Sequence, residues 1–507
     1  MSATARTLSR TRSAIRIPRV SVYQVTAAAI FGFVLLVAVL PRFDTDLWWH
    51  LFVGKTILQG HGVPSHDFLS YTVPGHGWVD HEWLAEAGMY ALYRLGGFPL
   101  LLFVFGLFTT LAYALVYALM RSRSVGPVLA LVLTFAAASA SFGSWGPRVQ
   151  VLTLAFAALF ALILDGYRHS GNRWALFSLV GLMLLWSNLH GGFVVGLLLI
   201  AAYMVGSILD HLVSRWSIQT ALRVERPLMA TLAGCFLVTL VNPNTYRQLL
   251  YPLKFVAPNT FTNAIQESLA PNFHLVQMLP FELLLIGLVV SAFLARRRVS
   301  WIDVIMVVLF THLALQQTRN VALWCIVVVP ILAVYAQDAL RPLMGAFEDL
   351  NRPLASRVVQ LSNWVILALV GVLLVGLSSR YLSPRAVHAA EAGSYPLAAV
   401  RYLDHHPLQG RGFESYSYGG LVIWNFYPRY PVFIDSRADT VYDDSTLTKY
   451  LTLYDAKPGW RRLLAAYRVD WVMVEPGAPL IQILRSSPHW HVDFEGRLAV
   501  IASRSPH

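Results

Sequence analysis

Eleven apolar runs of about twenty residues or slightly fewer lie between Ser21 and Arg380, and no water-soluble fold can bury that many. They fall at 21–40, 98–120, 126–144, 148–167, 174–189, 192–211, 227–242, 279–295, 301–317, 321–337 and 362–380, the fifth and seventh being short. Composition agrees: 56% of residues are hydrophobic and 13% charged, where soluble domains carry roughly 25% charged residues. The two cysteines, Cys235 and Cys325, lie inside apolar runs, so no water-facing part has a disulfide framework or a thiolate zinc site. A mainly α, polytopic transmembrane bundle follows.

The net charge of +12 is uneven. Residues 1–384 hold 26 Lys/Arg against 15 Asp/Glu, and residues 385–507 hold 13 against 12. The excess therefore belongs to the membrane part and reads as an orientation signal, with membrane lipids and no nucleic acid as its partner. With the basic N-terminus (1–20) inside and the spans alternating, 18 basic residues fall in inner segments and seven in the outer loops before residue 385. This satisfies the positive-inside rule and puts residues 381–507 outside. The first apolar run is too long for a signal peptide and lacks a cleavage site, so it is expected to remain as a span.

The outer segments are therefore 41–97, 243–278, a few short turns and 381–507. In the first loop, residues 44–58 carry a helical repeat suited to lying along a membrane surface, and a second amphipathic helix runs from Asp80 to about Leu95, closed by Gly96-Gly97. Residues 381–507 alternate strands (430–435, 469–474, 498–502) with helices (445–454, 459–467, 478–486), the pattern of a small α/β extracytoplasmic domain.

Chemistry-bearing residues gather outside. Asp44 and Asp46 follow the first span at once; a carboxylate there can deprotonate an acceptor hydroxyl or, as a pair, hold a divalent cation such as Mg²⁺ or Mn²⁺ on a diphosphate, and otherwise caps the surface helix. His81 and Glu82 are further acid–base candidates, although neighbours on a helix point about 100° apart; Asp80 reads as the cap of that helix. Trp48 and Trp49 suit interfacial anchoring or stacking on sugar faces. His50 belongs to a run of five loop histidines without metal-ligand spacing. Arg148 and Arg319, at the outer ends of spans, either snorkel to headgroups or bind a phosphate. His190 sits in the turn Asn188-Leu-His-Gly-Gly192, and Glu267 and His274 lie on the long outer loop that could close over the site. Asp435 and Arg437 read as a structural ion pair after a strand.

The run Asp44-Thr-Asp-Leu-Trp-Trp-His50, with Gly54, Gly60, Pro64, Asp67-Phe-Leu-Ser-Tyr71, Trp78 and His81-Glu-Trp83, then Asn188–Gly192, Tyr418-Gly-Gly and Ile434-Asp-Ser-Arg-Ala-Asp439, resembles a group of bacterial multi-span proteins akin to the GT-C glycosyltransferases. The resemblance covers most of the chain and implies a protein of the bacterial cytoplasmic membrane. It also implies a polyprenyl-phosphate sugar donor, inverting transfer to an extracytoplasmic glycan, lipid or protein, and an acidic residue in the first outer loop, which maps onto Asp44 or Asp46. The Trp-Trp-His continuation departs from the superfamily pattern. Two other readings stand beside it: a non-catalytic assembly subunit on the same scaffold, and a lipid-linked sugar transporter, which should place charges near the bilayer midplane.

Overall fold

The computed structural model describes residues 19–215, 217–251, 260–348 and 357–505. The basic N-terminus as far as residue 18, Lys254, Arg352 and the side chain of Asp439 lie outside the described residues.

Among the described residues seven helices are long and apolar enough to cross a membrane: Trp83–Ser122, Pro127–Ser144, Gln150–Ser170, Gly191–Val213, Val276–Leu294, Thr318–Pro342 and Val358–Tyr381. Four shorter apolar helices, Val22–Ala38, Arg173–Leu189, Arg226–Val238 and Trp301–Gln316, fall on the remaining expected spans. Their starts are chemically marked. Ser21 and Gln24 form a capping box, and Asn172 and Ser300 cap their helices through side-chain oxygens. Thr318–Pro342 is the central helix, buried on nearly all sides, whereas Val358–Tyr381 lies at the periphery against Val22–Ala38.

Trp83–Ser122 breaks at Gly96 and Gly97, the latter at φ +62°. The expected stop is thus a kink, and the helix resumes at once into the span. Its first part, Trp83–Leu95, belongs to the first loop. The helix Leu47–Thr56 is buried from Leu47 through Gly54. It finds its partners in protein: the Trp83 helix on one side and the helix Gly419–Phe426 of the C-terminal domain on the other. Gly420 makes that approach feasible, since a Cβ there would stand 3.3 Å from Thr45 O and Trp49 N.

The C-terminal domain carries a four-stranded sheet of β1 (Arg411–Glu414), β2 (Val469–Val474), β3 (Trp490–Glu495) and β4 (Val500–Arg504), in the order β1-β2-β4-β3. β1 and β2 are parallel and connected through helices; β2–β4 and β4–β3 are antiparallel. The expected strand at 430–435 does not join the sheet. Val432 bridges Ser70 of the first loop, and the N–H groups of Phe433 and Ile434 donate to the buried Glu414 carboxyl. The apolar run is buried as predicted, but loop and side chain supply its hydrogen bonds.

The first loop is stitched to this domain throughout. Tyr71 N–H donates to Val432 O, Val432 N–H to Leu69 O, Tyr71 OH to Gly412 O, and Thr72 OH to Phe433 O. At the centre Arg437, fully buried, donates through Nη1 to Asp67 (2.6 Å) and through Nε and Nη2 to Asp435, with Tyr442 OH on the same Asp435 oxygen and the Trp78 ring 4.6 Å away. The expected Asp435–Arg437 pair is thus present, and its third member comes from the first loop.

Candidate functional site at one end of the bundle

The end of Val22–Ala38, the start of Gln150–Ser170, the turn after Arg173–Leu189 and the first loop meet at one end of the helical bundle. Glu82 sits at their junction. His190 Nε2 lies 3.2 Å and His81 Nε2 3.3 Å from its Oε1, and His50 Nε2 lies 3.5 Å from its Oε2. His81 and Glu82 converge because the helix begins only at Trp83, so the angular separation expected of helical neighbours does not apply. Asp80 is not the expected cap: the N-cap position falls on Glu82 and carries no side-chain cap bond, and Asp80 instead accepts the Glu82 N–H.

The ring protons follow from the partners. Gly192 N–H donates to His190 Nδ1 at 2.9 Å, so that nitrogen is an acceptor and Nε2 carries the proton toward Glu82. Thr153 OH also contacts Nδ1, at 2.7 Å, while accepting from Trp186 Nε1. A Cβ on Gly192 would stand 2.3 Å from Thr153 Oγ1, which is why the turn carries glycine there. His81 places Nδ1 against the Val79 carbonyl and Nε2 against Glu82, two acceptors that together call for the doubly protonated ring. Its basicity agrees: burial works against the charge, but Glu82 outweighs it and raises His81 above its ordinary value. His190 and His50 are pushed down by burial to about 4 and stay neutral at pH 7. Burial alone would raise Glu82; the imidazoles, His81 foremost, hold it well below the usual carboxylate range.

His50 links this centre to a second acid. Its Nδ1 lies 2.9 Å from Glu86 Oε1, opposite the nitrogen that faces Glu82. A neutral ring has one N–H for two carboxyls, so one carboxyl brings its own proton. Glu86 is the candidate, because it also meets Asp80, whose carboxyl burial pushes up to about 7. His50, Glu82 and Glu86 carry ligand atoms within 4.8 Å of one another and are of the types that hold a cation. The nearest contacts use opposite ring nitrogens of His50, Nδ1 to Glu86 and Nε2 to Glu82. The Asp44–Asp46 pair lies apart from that group, with Thr45 OH reaching both carboxylates.

The two aspartates sit beside this centre in unlike environments. Asp44 Oδ2 is in ion-pair contact with Arg148 Nε, and Tyr395 OH donates to the Asp44 carbonyl. The Arg148 fork, Nη1 and Nη2, holds both oxygens of Glu267. Asp46 is half-buried and receives long contacts, 3.5 Å from Trp49 Nε1 and 3.4 Å from Thr45 OH, with Ser436 also against its carboxylate. Burial first, and then the neighbouring Asp44, push its carboxyl up to about 8.

No family model and no curated protein matches the chain. Solved structures do. The archaeal oligosaccharyltransferase AglB from Archaeoglobus fulgidus, in complex with an inhibitory peptide and a dolichol-phosphate, is similar at TM-score 0.53 and 13% identity, over 89% of this chain and 69% of that one. The Archaeoglobus fulgidus oligosaccharyltransferase tethered to an acceptor peptide is similar at TM-score 0.52 and 12% identity, over the same shares. The fold is shared with these two structures. At such identity the likeness is one of architecture: a helical membrane part with a C-terminal domain on a shared scaffold.

Within this fold, Asp44, Asp46, His50, His81, Glu82, Arg148, His190 and Glu267 come together at one end of the bundle. Arg319 lies close enough to His190 to help depress it, and its loop is tied to the Glu267 turn by Thr318 N–H donating to Leu269 O. His274 does not join them; it is exposed, its backbone N–H held by Asn272. Trp48 and Trp49 are core residues, 4% and 6% exposed. Trp48 packs on Phe98, Tyr395 and Trp424, and Trp49 stacks on His50 at 3.8 Å, so neither offers a free face to a sugar or a headgroup. The domain that covers them could not be placed from the loop sequence alone. Glu86 and Thr153 were missed, because one looks like an ordinary helix carboxylate and the other like a small residue inside a span.

Proposed function

We propose that this protein is a membrane glycosyltransferase that moves a sugar from a polyprenyl-phosphate donor to an extracytoplasmic glycan, lipid or protein acceptor by a single inverting displacement. The acceptor hydroxyl gives its proton to a first-loop carboxylate, its oxygen bonds to the anomeric carbon, and the bond from that carbon to the phosphate oxygen breaks, releasing polyprenyl phosphate. The observation that carries the reading is the acid pair at the end of the first apolar helix, in contact with Arg148, on a GT-C scaffold.

Of the two aspartates Asp46 is the better base. Asp44 is committed to Arg148, whereas a carboxyl near 8 is a strong proton acceptor once ionised. Arg148 and Arg319 are placed to stabilise the departing phosphate. Glu82 adds to the upward push on Asp46. The test is sugar transfer from a polyprenyl-phosphate donor in proteoliposomes. Asp46→Asn is expected to abolish turnover with folding intact and Asp44→Asn to impair it; full activity in both ends the acid role.

A second reading, a non-catalytic subunit on the same scaffold, draws support from the closure of the first loop. Leu47 through Gly54 are buried, packed against the C-terminal helix Gly419–Phe426. Absence of turnover with every donor, in a chain that still assembles with partner proteins, would favour it.

A further inference from the structure

Arg148 is the strongest anion-binding group at the site, and its binding edge is already taken. Glu267 holds Nη1 and Nη2 in the side-by-side geometry that a phosphate would use. Asp44 lies against the remaining nitrogen. That second contact is one of charge only: Nε–H is buried without a hydrogen-bond acceptor, aimed past the carboxylate it touches. One guanidinium therefore faces two carboxylates, with Asp46 close by. A phosphate cannot join this group until a carboxylate leaves.

The two carboxylates differ in how easily they can leave. The Asp44 side chain is 18% exposed and its residue is fixed through Tyr395. The Glu267 side chain is 44% exposed, against 14% for Arg148. It stands on a three-residue turn, Gln266–Ser268, between the exposed Gln266 and Leu269.

We propose that Glu267 is a placeholder for the donor phosphate: it occupies the Arg148 fork in the resting protein and is displaced when a lipid-linked phosphate binds. Displacement exchanges one bidentate anion for another, keeps the guanidinium neutralised throughout, and frees the Glu267 turn to move. The turn is tied to the Arg319 loop through Leu269, whose carbonyl accepts from Thr318 N–H (2.8 Å) and OH (2.9 Å). Release of Glu267 is therefore transmitted to the second arginine. Glu267 is on this view a specificity residue, because it sets a threshold that only an anion able to pair with both terminal nitrogens can pass. Neutral lipids and single-point anions do not displace it.

This inference rests on the reading of Arg148 as a phosphate group, and the experiment separates the two. The full-length chain in lipid nanodiscs is titrated with a polyprenyl monophosphate and, separately, with inorganic phosphate. Wild type, Glu267→Gln, Arg148→Gln and the double variant are compared, and the melting midpoint of each is recorded to verify folding. The expected result is a tightening of roughly threefold or more for the lipid phosphate in Glu267→Gln. Binding should be lost in Arg148→Gln, with no recovery in the double variant. A parallel gain for inorganic phosphate assigns the site to the headgroup alone; a gain confined to the lipid form adds the tail to recognition. If Glu267→Gln binds as wild type or more weakly while Arg148→Gln still abolishes binding, the placeholder is overturned and the phosphate reading stands. If Arg148→Gln binds as wild type, the phosphate reading falls and the placeholder with it.

Discussion

Replacing Arg437 by Gln should open the seam between the first loop and the C-terminal domain. In the native chain Arg437 donates to Asp67 and Asp435 at 2.6 Å each and to Tyr442 OH at 3.1 Å, and all of these groups are buried. Glutamine keeps much of the stem but removes the charge and most of the donors, leaving two carboxylates without their cation. Breaking a buried ion pair from one side costs about 3–5 kcal/mol. The Ser70 OH and N–H groups that still reach Asp67, and Tyr442 OH on Asp435, put the expected loss at the lower end, about 3 kcal/mol. That is roughly a hundredfold in the local opening equilibrium. Hydrogen exchange of residues 65–77 is the direct assay, with proteolysis in the same segment as a second readout. The double variant Asp67→Asn/Arg437→Gln should lose less than the sum of the single changes, since removing one orphaned charge relieves the other. A loss below about 1 kcal/mol in Arg437→Gln, or strict additivity in the cycle, would refute a three-membered charge seam.

Other expectations are simpler. Asp46 has its folded-state acidity shifted up to about 8, so the folded chain holds a proton there that the unfolded chain has released. Its contribution to stability is full below the ordinary carboxylate range near 4 and is lost as pH rises through about 8. Transfer activity should move the other way, with kcat/KM rising with pH to a midpoint near that value; an unchanged limb in Asp46→Asn would remove Asp46 from the chemistry. Gly192→Ala should destabilise by about 1–3 kcal/mol through collision with Thr153 and His190. Gly181→Ala, in open space on the helix Arg173–Leu189, should stabilise by about 0.5–1 kcal/mol. Thermal melting of the two variants tests the pair, and equal shifts would contradict the crowding at the turn.

Much of this was legible in the sequence because a membrane forces hydrogen bonds into regular helices and leaves a long apolar run for each. A helix was found on every expected span, and the gathering of Asp44, His81, Arg148 and His190 at one end followed from alternating the runs. What could not be read was tertiary substitution. Residues 44–58 look like a surface helix, yet Trp48 faces Tyr395 and Trp424, whose packing no local pattern announces. Residues 430–435 look like a strand, yet their partners are a glutamate side chain and the first loop. β1 and β3 were missed because Arg411–Glu414 is only four residues long and Trp490–Glu495 mixes apolar with charged residues. The Glu267–Arg148 fork joins groups 119 residues apart, a distance across which no spacing rule operates.

The seam also has a history within each molecule. The groups that fasten residues 71–76 and Asp67 to the C-terminal domain are 341 to 370 positions apart in the chain. At 5–20 residues per second, the first loop emerges roughly 20 to 70 seconds before its partner exists. During that interval Asp67 has no arginine and Trp48 lacks Tyr395 and Trp424. The newly made protein therefore carries an open first loop that only the later part of synthesis can close.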